Sequence, residues 1–471
     1  MKHNNIDFTT GSIPHHLIVF AIPMLIGNLL QTFYNTVDSI WVGRFLGPEA
    51  LAAVSVSFPI LFLLIAFATG LGIANNVMIA QYLGAKREEE VARTVTNALT
   101  VFTVIGIVTM VVGLQFHEEL LELIRTPQEI LPLASSYLFI FLLGLPFLFV
   151  YNAINAIFQG MGNSKTPLLL LVYATILNVI LDPILILGVG PFPRMEVAGA
   201  ALATTIAQGV SGFLGLHFLG KTGFLRLRTK GFPFSPRLTM IMIKLGLPAG
   251  VQQVILSLGF LVMTTLVNGF GKTVIAAFGA GSRVDQFAFL PAMTFSLAIS
   301  SVAGQNLGAF NFQRAKEVAR WGAIISSLFA IAITTFVFLM TSLLIRIFTN
   351  DEAVVHHGIV YLRFASFSYL PLALMFAYNG FLRGAGDTVQ TMINTILTLW
   401  VVRIPLAKFL SSFPSLGEKG IWLSQIIGPI AGFLIAYIYF LTGRWQSKIL
   451  VGQEAPLKAQ EVCCESMSSS R

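Results

Sequence analysis

Residues 173–188 read YATILNVILDPILILG. Within this mostly apolar run Asn178 and Asp182 are four residues apart and therefore share one face of a helix. At mid-membrane depth a carboxylate needs a proton, a cation, a polar partner or water, and such residues commonly mark ion or substrate pathways. Pro183, directly after the acid, has no amide hydrogen and crowds the preceding turn, so it bends the helix and frees a carbonyl beside the carboxylate. An earlier stretch, NLLQTFYNTVDSIWVG at 28–43, has a matching acid, Asp38, with Gln31, Tyr34 and Asn35 before it. The expectation is that these two helices meet around one polar site.

Composition supports the membrane reading. The 471 residues are 55% hydrophobic and 11% charged, with a mean hydropathy of +0.80, whereas a soluble chain carries about a quarter charged residues. The formal charge of +8 is no sign of nucleic-acid binding here, because the basic residues lie mostly in short loops, where they report orientation. The two cysteines, Cys463 and Cys464, are adjacent in the tail and make neither a metal site nor a disulfide framework. The first apolar segment lacks a cleavable-signal pattern and is expected to remain in the mature protein. Segments long enough to span a bilayer fall at about 15–42, 51–82, 94–115, 132–157, 167–189, 198–219, 241–268, 274–306, 321–345, 361–382, 390–411 and 421–443. The second and eighth are expected to begin with a short interfacial turn or sit at the membrane edge. Loops on one side carry Lys86, Arg87, Arg93, Lys165, Lys221, Arg226, Arg228, Lys230, Arg237, Lys244, Arg314, Lys316, Arg320 and Arg383; the other side carries the acidic loop 117–129 and NDE at 350–352. The Lys/Arg bias places both termini in the cytoplasm of a multi-pass plasma-membrane protein.

The chain also repeats itself. IAQYLGAKREEEVAR at 79–93 is echoed by VAGQNLGAFNFQRAKEVAR at 302–320, and FQGMGNSK at 158–165 by LRGAGDTV at 382–389, both at an offset of 224; Pro23 and Pro248 differ by 225. Matches at one offset read as two six-helix lobes, 1–225 and 226–450, followed by a polar tail at 451–471. Each lobe starts on the same side, so the repeats are parallel, and the fold class is an all-α polytopic membrane protein of twelve transmembrane helices. Gly84 and Gly308, each at a helix end, are expected as left-handed caps. The GxG elements at 160–162 and 384–386 follow no strand pattern and carry no P-loop lysine, so they read as hairpin turns rather than nucleotide loops.

The polar residues break this symmetry. At an offset of 222 Asn178 and Asp182 fall on Trp400 and Ile404, at 224 on Val402 and Leu406, and Asp38 falls near Met263. Only the amino-terminal lobe has the acids, which favours function over scaffold. The structural alternatives are an Asp182 bonded to Asn178 and an Asp38 paired with Arg44. Two carboxylates in one low-dielectric site titrate as a coupled pair, which suits ion-coupled transport without choosing H⁺ or Na⁺. The next helix offers Thr204, whose hydroxyl completes an oxygen-rich site, and Gln208. Tyr34, Tyr151, Gln31, Asn35 and Asn155 are substrate-cavity candidates, and Pro23 and Pro183 are candidate hinges, Pro23 lying about four turns before Asp38. No ATP-hydrolysing machinery is present in the pattern, no enzymatic activity is expected, and an ion gradient is the expected energy source.

With these marks together, the chain resembles the multidrug and toxic compound extrusion (MATE) family. The likeness rests on PMLIGNLLQTFYNTVDSIWVGRFLG at 23–47, QYLGAKR at 81–87, QGMGNSKTP at 159–167, NVILDP at 178–183, GAALAT at 199–204 and the second-lobe partners LGLPAG, AGQNLGA and RGAGDT. It implies a twelve-helix, two-lobed antiporter that expels cationic or amphipathic compounds on a Na⁺ or proton gradient, working as a monomer among membrane lipids. In the branch that includes the DNA-damage-inducible members, which this chain is nearest, coupling resides in the amino lobe, and the corresponding residues are Asp38, Asn178, Asp182 and Thr204, a set that suits Na⁺ or H⁺. Other branches place acids in the seventh and eighth, or tenth, helices. Here the seventh has none, the tenth supplies Tyr378 and Asn379, and Asp285 in the eighth is expected to pair with Arg283. The wider superfamily contains lipid flippases, so export of an endogenous lipid-linked or amphiphilic metabolite is the alternative.

Overall fold

The computed structural model describes residues 6–225 and 234–453. Arg226, Arg228 and Lys230 of the basic linker, Cys463 and Cys464, and most of the polar tail lie outside the described residues. Within them the structure is helical: α1 Ile13–Leu46, α2 Pro48–Gly84, α3 Glu88–Leu123, α4 Leu131–Leu143, α5 Leu145–Gly160, α6 Lys165–Leu187, α7 Glu196–Gly220, α8 Pro236–Asn268, α9 Lys272–Gly308, α10 Phe312–Arg346, α11 Glu352–Gly384, α12 Thr388–Ile396, α13 Ile404–Ser411, α14 Glu418–Leu441 and a last short α15, Leu450–Gln453. A π-helical stretch, Leu397–Arg403, joins α12 to α13 as one span. Helices follow from the solvent: in hydrocarbon each backbone N–H and C=O must be satisfied within its own segment. Eleven helical segments are long and apolar enough to cross a bilayer, and α4 with α5, bent by 50°, makes the twelfth. That bend falls at Gly144, just before Pro146, whose ring cannot continue the hydrogen-bond ladder.

Two expectations are corrected. Of the two readings for the second and eighth segments, the separate interfacial turn is excluded, since α2 and α9 are continuous helices of 37 residues each, and the start at the membrane edge stands as the expectation. Nor are Gly84 and Gly308 left-handed caps. They are the last residues of α2 and α9, and the left-handed positions are Lys86 and Phe310, both at φ 56°. The glycines are required for a different reason, close approach: a Cβ on Gly84 would collide with the carbonyl oxygen of Gln305, and a Cβ on Gly308 with that of Gln81. The turn glycines of the two GxG elements, Gly162 and Gly386, do take positive φ, 78° and 90°.

Contacts gather the chain into two compact units. The first comprises Met1–Ile6, Ile22–Ile79 and Arg87–Leu247. In it α6 and α7 approach closely through Gly199, whose missing side chain makes room for the Leu185 carbonyl, and the start of α8 is tied to α3 by Asn97, which accepts from the Ser235 amide at 2.9 Å and donates to Thr239 Oγ1 at 3.1 Å. The second comprises Asp7–Ala21, Ala80–Lys86 and Pro248–Arg471. Its core includes Phe278, Tyr361, Tyr369 and Trp422, with Phe278 stacked on Trp422 at 5.8 Å. The divisions fall inside helices: in α1 between Ala21 and Ile22, beside Pro23, and in α8 between Leu247 and Pro248. The repeated prolines thus stand where each helix leaves one unit for the other and where one backbone hydrogen bond is missing.

Candidate functional site: an oxygen cluster in the first unit

Three helices of the first unit build the site. On α6, Thr175, Asn178 and Asp182 are all buried on one stripe, and Gly188, left-handed at φ 73°, ends the helix shortly after Pro183. Asn178 Nδ2 donates to Asp182 Oδ1 at 3.2 Å and to Thr204 Oγ1 of α7 at 3.4 Å. From α1 the Tyr34 hydroxyl donates to the same Thr204 oxygen at 2.9 Å. Asp38 lies one turn beyond Tyr34, within electrostatic range of Asp182, and Tyr34 and Tyr137 of α4 feel both acids. The structure thus links Asn178, Asp182 and Thr204 by hydrogen bonds and sets Asp38 within electrostatic range of Asp182.

The acceptors left over define what this cluster can do. Asp38 Oδ1, Asn178 Oδ1 and Asp182 Oδ2 are buried without a hydrogen-bond partner, as is Thr175 Oγ1. Buried polar atoms are normally paired, since an unpaired one costs on the order of 1–3 kcal/mol. Three orphan acceptors on three neighbouring side chains form a place for protons or for a hard cation with oxygen ligands. Among the described residues no donor reaches them.

The remaining predicted residues divide. Tyr34 donates to Thr204 within the cluster. Gln31 and Asn35 pair with each other along α1, Gln31 Nε2 donating to Asn35 Oδ1 at 3.1 Å. Asn155 interacts with Tyr151 one turn away on α5, leaving its own Oδ1 buried and unpaired. Gln208 lies half-buried one turn beyond Thr204. Pro23 and Pro183 both lie inside helices, α1 and α6. Thr175 and Tyr137 went unpredicted. The spacing of Thr175, three before Asn178 and seven before Asp182, is a helical-face signal; Tyr137, within SSYLFIF, has none.

The second unit holds its own buried acid, and here an expectation fails. Asp285 is not paired with Arg283, whose guanidinium lies 5.8 Å from the Phe348 ring centroid. It accepts from the hydroxyls of Tyr361 and Tyr369, the latter at 2.6 Å, and from Gln425 Nε2 at 3.1 Å, with Arg403 of the π-helical stretch in electrostatic range. These partners lie on α11 and α14, far from Asp285 in the chain, so sequence neighbours were the wrong place to look. Neither Asp285 oxygen is orphaned: this acid is an anchor already saturated with donors. Asn379 of the tenth span is likewise occupied, accepting from Asn394 Nδ2 at 2.9 Å.

A duplicated all-helical membrane fold with a buried, oxygen-lined cluster fits a membrane transporter. The family model described as MatE matches residues 23–184 and again 248–409, one match in each repeat, and the chain belongs to that family of transporters. It is similar to the probable multidrug resistance protein YpnP of Bacillus subtilis, 34% identical over 94% of this chain and 98% of that protein, and to the FAD transporter of Shewanella oneidensis, 26% identical over 94% and 96%. Among solved structures it resembles the outward-facing conformation of a multidrug resistance MATE family transporter of the MOP superfamily, with TM-score 0.87 and 24% identity over 95% of this chain and 99% of the other, which attests the fold.

Proposed function

We propose that the chain is a cation-coupled antiporter that exports cationic or amphipathic drugs and toxic compounds by alternating access, with Asp38, Asn178, Asp182 and Thr204 as the coupling site. The observation that carries this reading is the set of three orphan acceptors on Asp38, Asn178 and Asp182. Loading them with H⁺ or Na⁺ neutralises charge that is costly to leave bare in a membrane interior. Unloading restores it, so the two states differ in what α1 and α6 tolerate between them. Gln31, Tyr34, Asn35, Tyr151, Asn155 and Gln208 remain our candidates for the substrate cavity, and Pro23 and Pro183 for the bends that change its lining. The multidrug names of relatives such as YpnP support the substrate class. We assign the lobes to 1–225 and 226–450, a monomeric working unit, and a plasma-membrane orientation with both termini cytoplasmic. The nearness to the DNA-damage-inducible branch is likewise our reading of the residues. Export of one endogenous amphiphile is the second reading, favoured by the likeness to an FAD transporter.

The test is transport in proteoliposomes with ΔpH and ΔNa⁺ imposed separately, on the parent, Asp38→Asn and Asp182→Asn. Both variants should fold and lose gradient-driven movement, because an amide fills the space of a carboxylate without cycling charge. Full activity in both would make the cluster structural.

A further inference from the structure

The terminal segments lie outside the repeated matches at 23–184 and 248–409, yet they occupy equivalent positions. Gln81 and Gln305, 224 apart, are both buried, and each offers its Oε1 to a backbone amide of a terminal segment: the Leu450 amide donates to Gln81 at 2.8 Å, the Phe8 amide to Gln305 at 3.1 Å. Both contacts lie in the second unit, which includes Asp7–Ala21 and the Ala80–Lys86 end of α2. Between the glutamines is the close crossing of the α2 and α9 ends, Gly84 against the Gln305 carbonyl and Gly308 against that of Gln81. The basic residues Lys86 and Arg87 follow one helix end, and Arg314 and Lys316 follow the other.

Each terminal segment is then fastened to the surrounding helices. At the front, Asn306 Nδ2 donates to the Phe8 carbonyl at 3.1 Å, and Arg314 Nη2 donates to the carbonyls of Thr10 and Gly11 at 2.8 and 2.7 Å. The Phe8 ring is fully buried, edge-on to Phe20 at 5.2 Å. At the back, Trp445 is fully buried edge-on to Phe381 at 4.8 Å, and Gln81 Nε2 also donates to the Gly384 carbonyl at 2.8 Å. A duplicated scaffold that needed only helix packing here would place apolar side chains at 81 and 305. Glutamines bonded to main-chain amides make contacts that water can replace without leaving buried groups unpaired, as a reversible closure requires.

We propose that residues 7–11 and 449–451 are paired latches that hold the α2/α9 crossing closed at the basic end, and that both leave their glutamines when that end opens. The proposal rests on the alternating-access reading above, and its test reads conformation rather than transport so that the two fail separately. Ser300, buried on α9 one turn before Gly304, is changed to cysteine in a full-length chain whose Cys463 and Cys464 are serine, and alkylation by a water-soluble maleimide is timed in lipid nanodiscs. Leu450→Pro removes the donor to Gln81 while leaving an apolar side chain at a helix start, where proline is accommodated. Phe8→Ala removes the anchoring ring, and Arg314→Gln the fork on the carbonyls of Phe8, Thr10 and Gly11. Leu450→Pro should speed alkylation about three- to tenfold, the equilibrium effect of losing roughly one net hydrogen bond, and the other two at least as much. Three changes in separate places keep the test alive should one misfold. Rates unchanged or slower in all folded variants would overturn the latches. Faster alkylation in a chain whose efflux no gradient drives would keep the latches and remove the antiport reading.

Discussion

Thr204 Oγ1 is the point where the coupling cluster is tied together, since it accepts from both Tyr34 and Asn178. Removing the donor and removing the acceptor therefore have unequal effects. Tyr34→Phe leaves Thr204 still bonded to Asn178 and should change thermal stability little. Thr204→Val leaves the Tyr34 hydroxyl and one Asn178 hydrogen without an acceptor, at about 1–3 kcal/mol for a buried unpaired group. We expect a clearly lower melting temperature for Thr204→Val than for Tyr34→Phe, together with a higher coupling-ion concentration for half-maximal efflux. Equal effects would mean that Thr204 is not the shared acceptor. These residues were legible because polar groups in an apolar run stand out and helical spacing joins those on one face. Tyr137 was not, because an aromatic among aromatics carries no signal until α4 is seen against α1 and α6.

At the scale of helices, the sequence was most informative about what recurs and least about why. The recurrence of QxLG predicted equivalent places, and the structure makes them equivalent, but as a crossing of two helices rather than two caps. A glycine before a basic loop looks the same in either role; only the opposing carbonyl distinguishes them, and that comes from a helix 224 residues away. The difference has a measurable consequence. At a left-handed cap, Gly308→Ala costs about 1 kcal/mol of backbone strain. At this crossing the added Cβ meets a backbone oxygen that has no rotamer to escape into, so the helix ends must part, and overpacking of this kind typically costs about 1–3 kcal/mol. Gly308→Ala should lower the melting temperature well beyond Gly443→Ala, a left-handed glycine at φ 68° whose added Cβ would meet only the end of the Gln446 side chain. A milder effect at 308 than at 443 would contradict the crossing. The 50° bend between α4 and α5 falls at Gly144, where an added Cβ would collide with Thr205 of α7, a partner 61 residues further along the chain.

Over the whole molecule, duplication sets the scaffold and the departures from it set the chemistry. Orientation is the first whole-chain consequence: cysteines introduced at Arg320 and Glu119, both exposed, should label from opposite faces, position 119 from outside intact cells and position 320 only after lysis. Labelling of 320 from outside would invert the proposed topology. The second consequence concerns the two buried acids that lie in different units. Asp182 has one oxygen unpaired in the first, whereas Asp285 in the second receives three hydrogen bonds and has Arg403 in range. An acid that must exchange an ion needs free lone pairs in one state, and an acid held by three hydrogen bonds would have to give them up on exchange. Asp285→Asn should thus behave unlike Asp182→Asn. Its amide nitrogen takes the place of one carboxylate oxygen and sets hydrogens against the donors on that side, either Tyr361 and Gln425 or Tyr369, while Arg403 loses a nearby negative charge, so the variant should melt at a markedly lower temperature, at about 1–3 kcal/mol for a buried donor left unpaired. The protein that remains folded should keep its response to ΔpH or ΔNa⁺, with efflux per folded molecule changed little. Proteoliposome transport normalised to correctly folded protein reads both quantities. Loss of gradient response in Asp285→Asn with retention in Asp182→Asn would move the coupling site to the second unit, since a saturated anchor and an exchange site cannot trade those two outcomes.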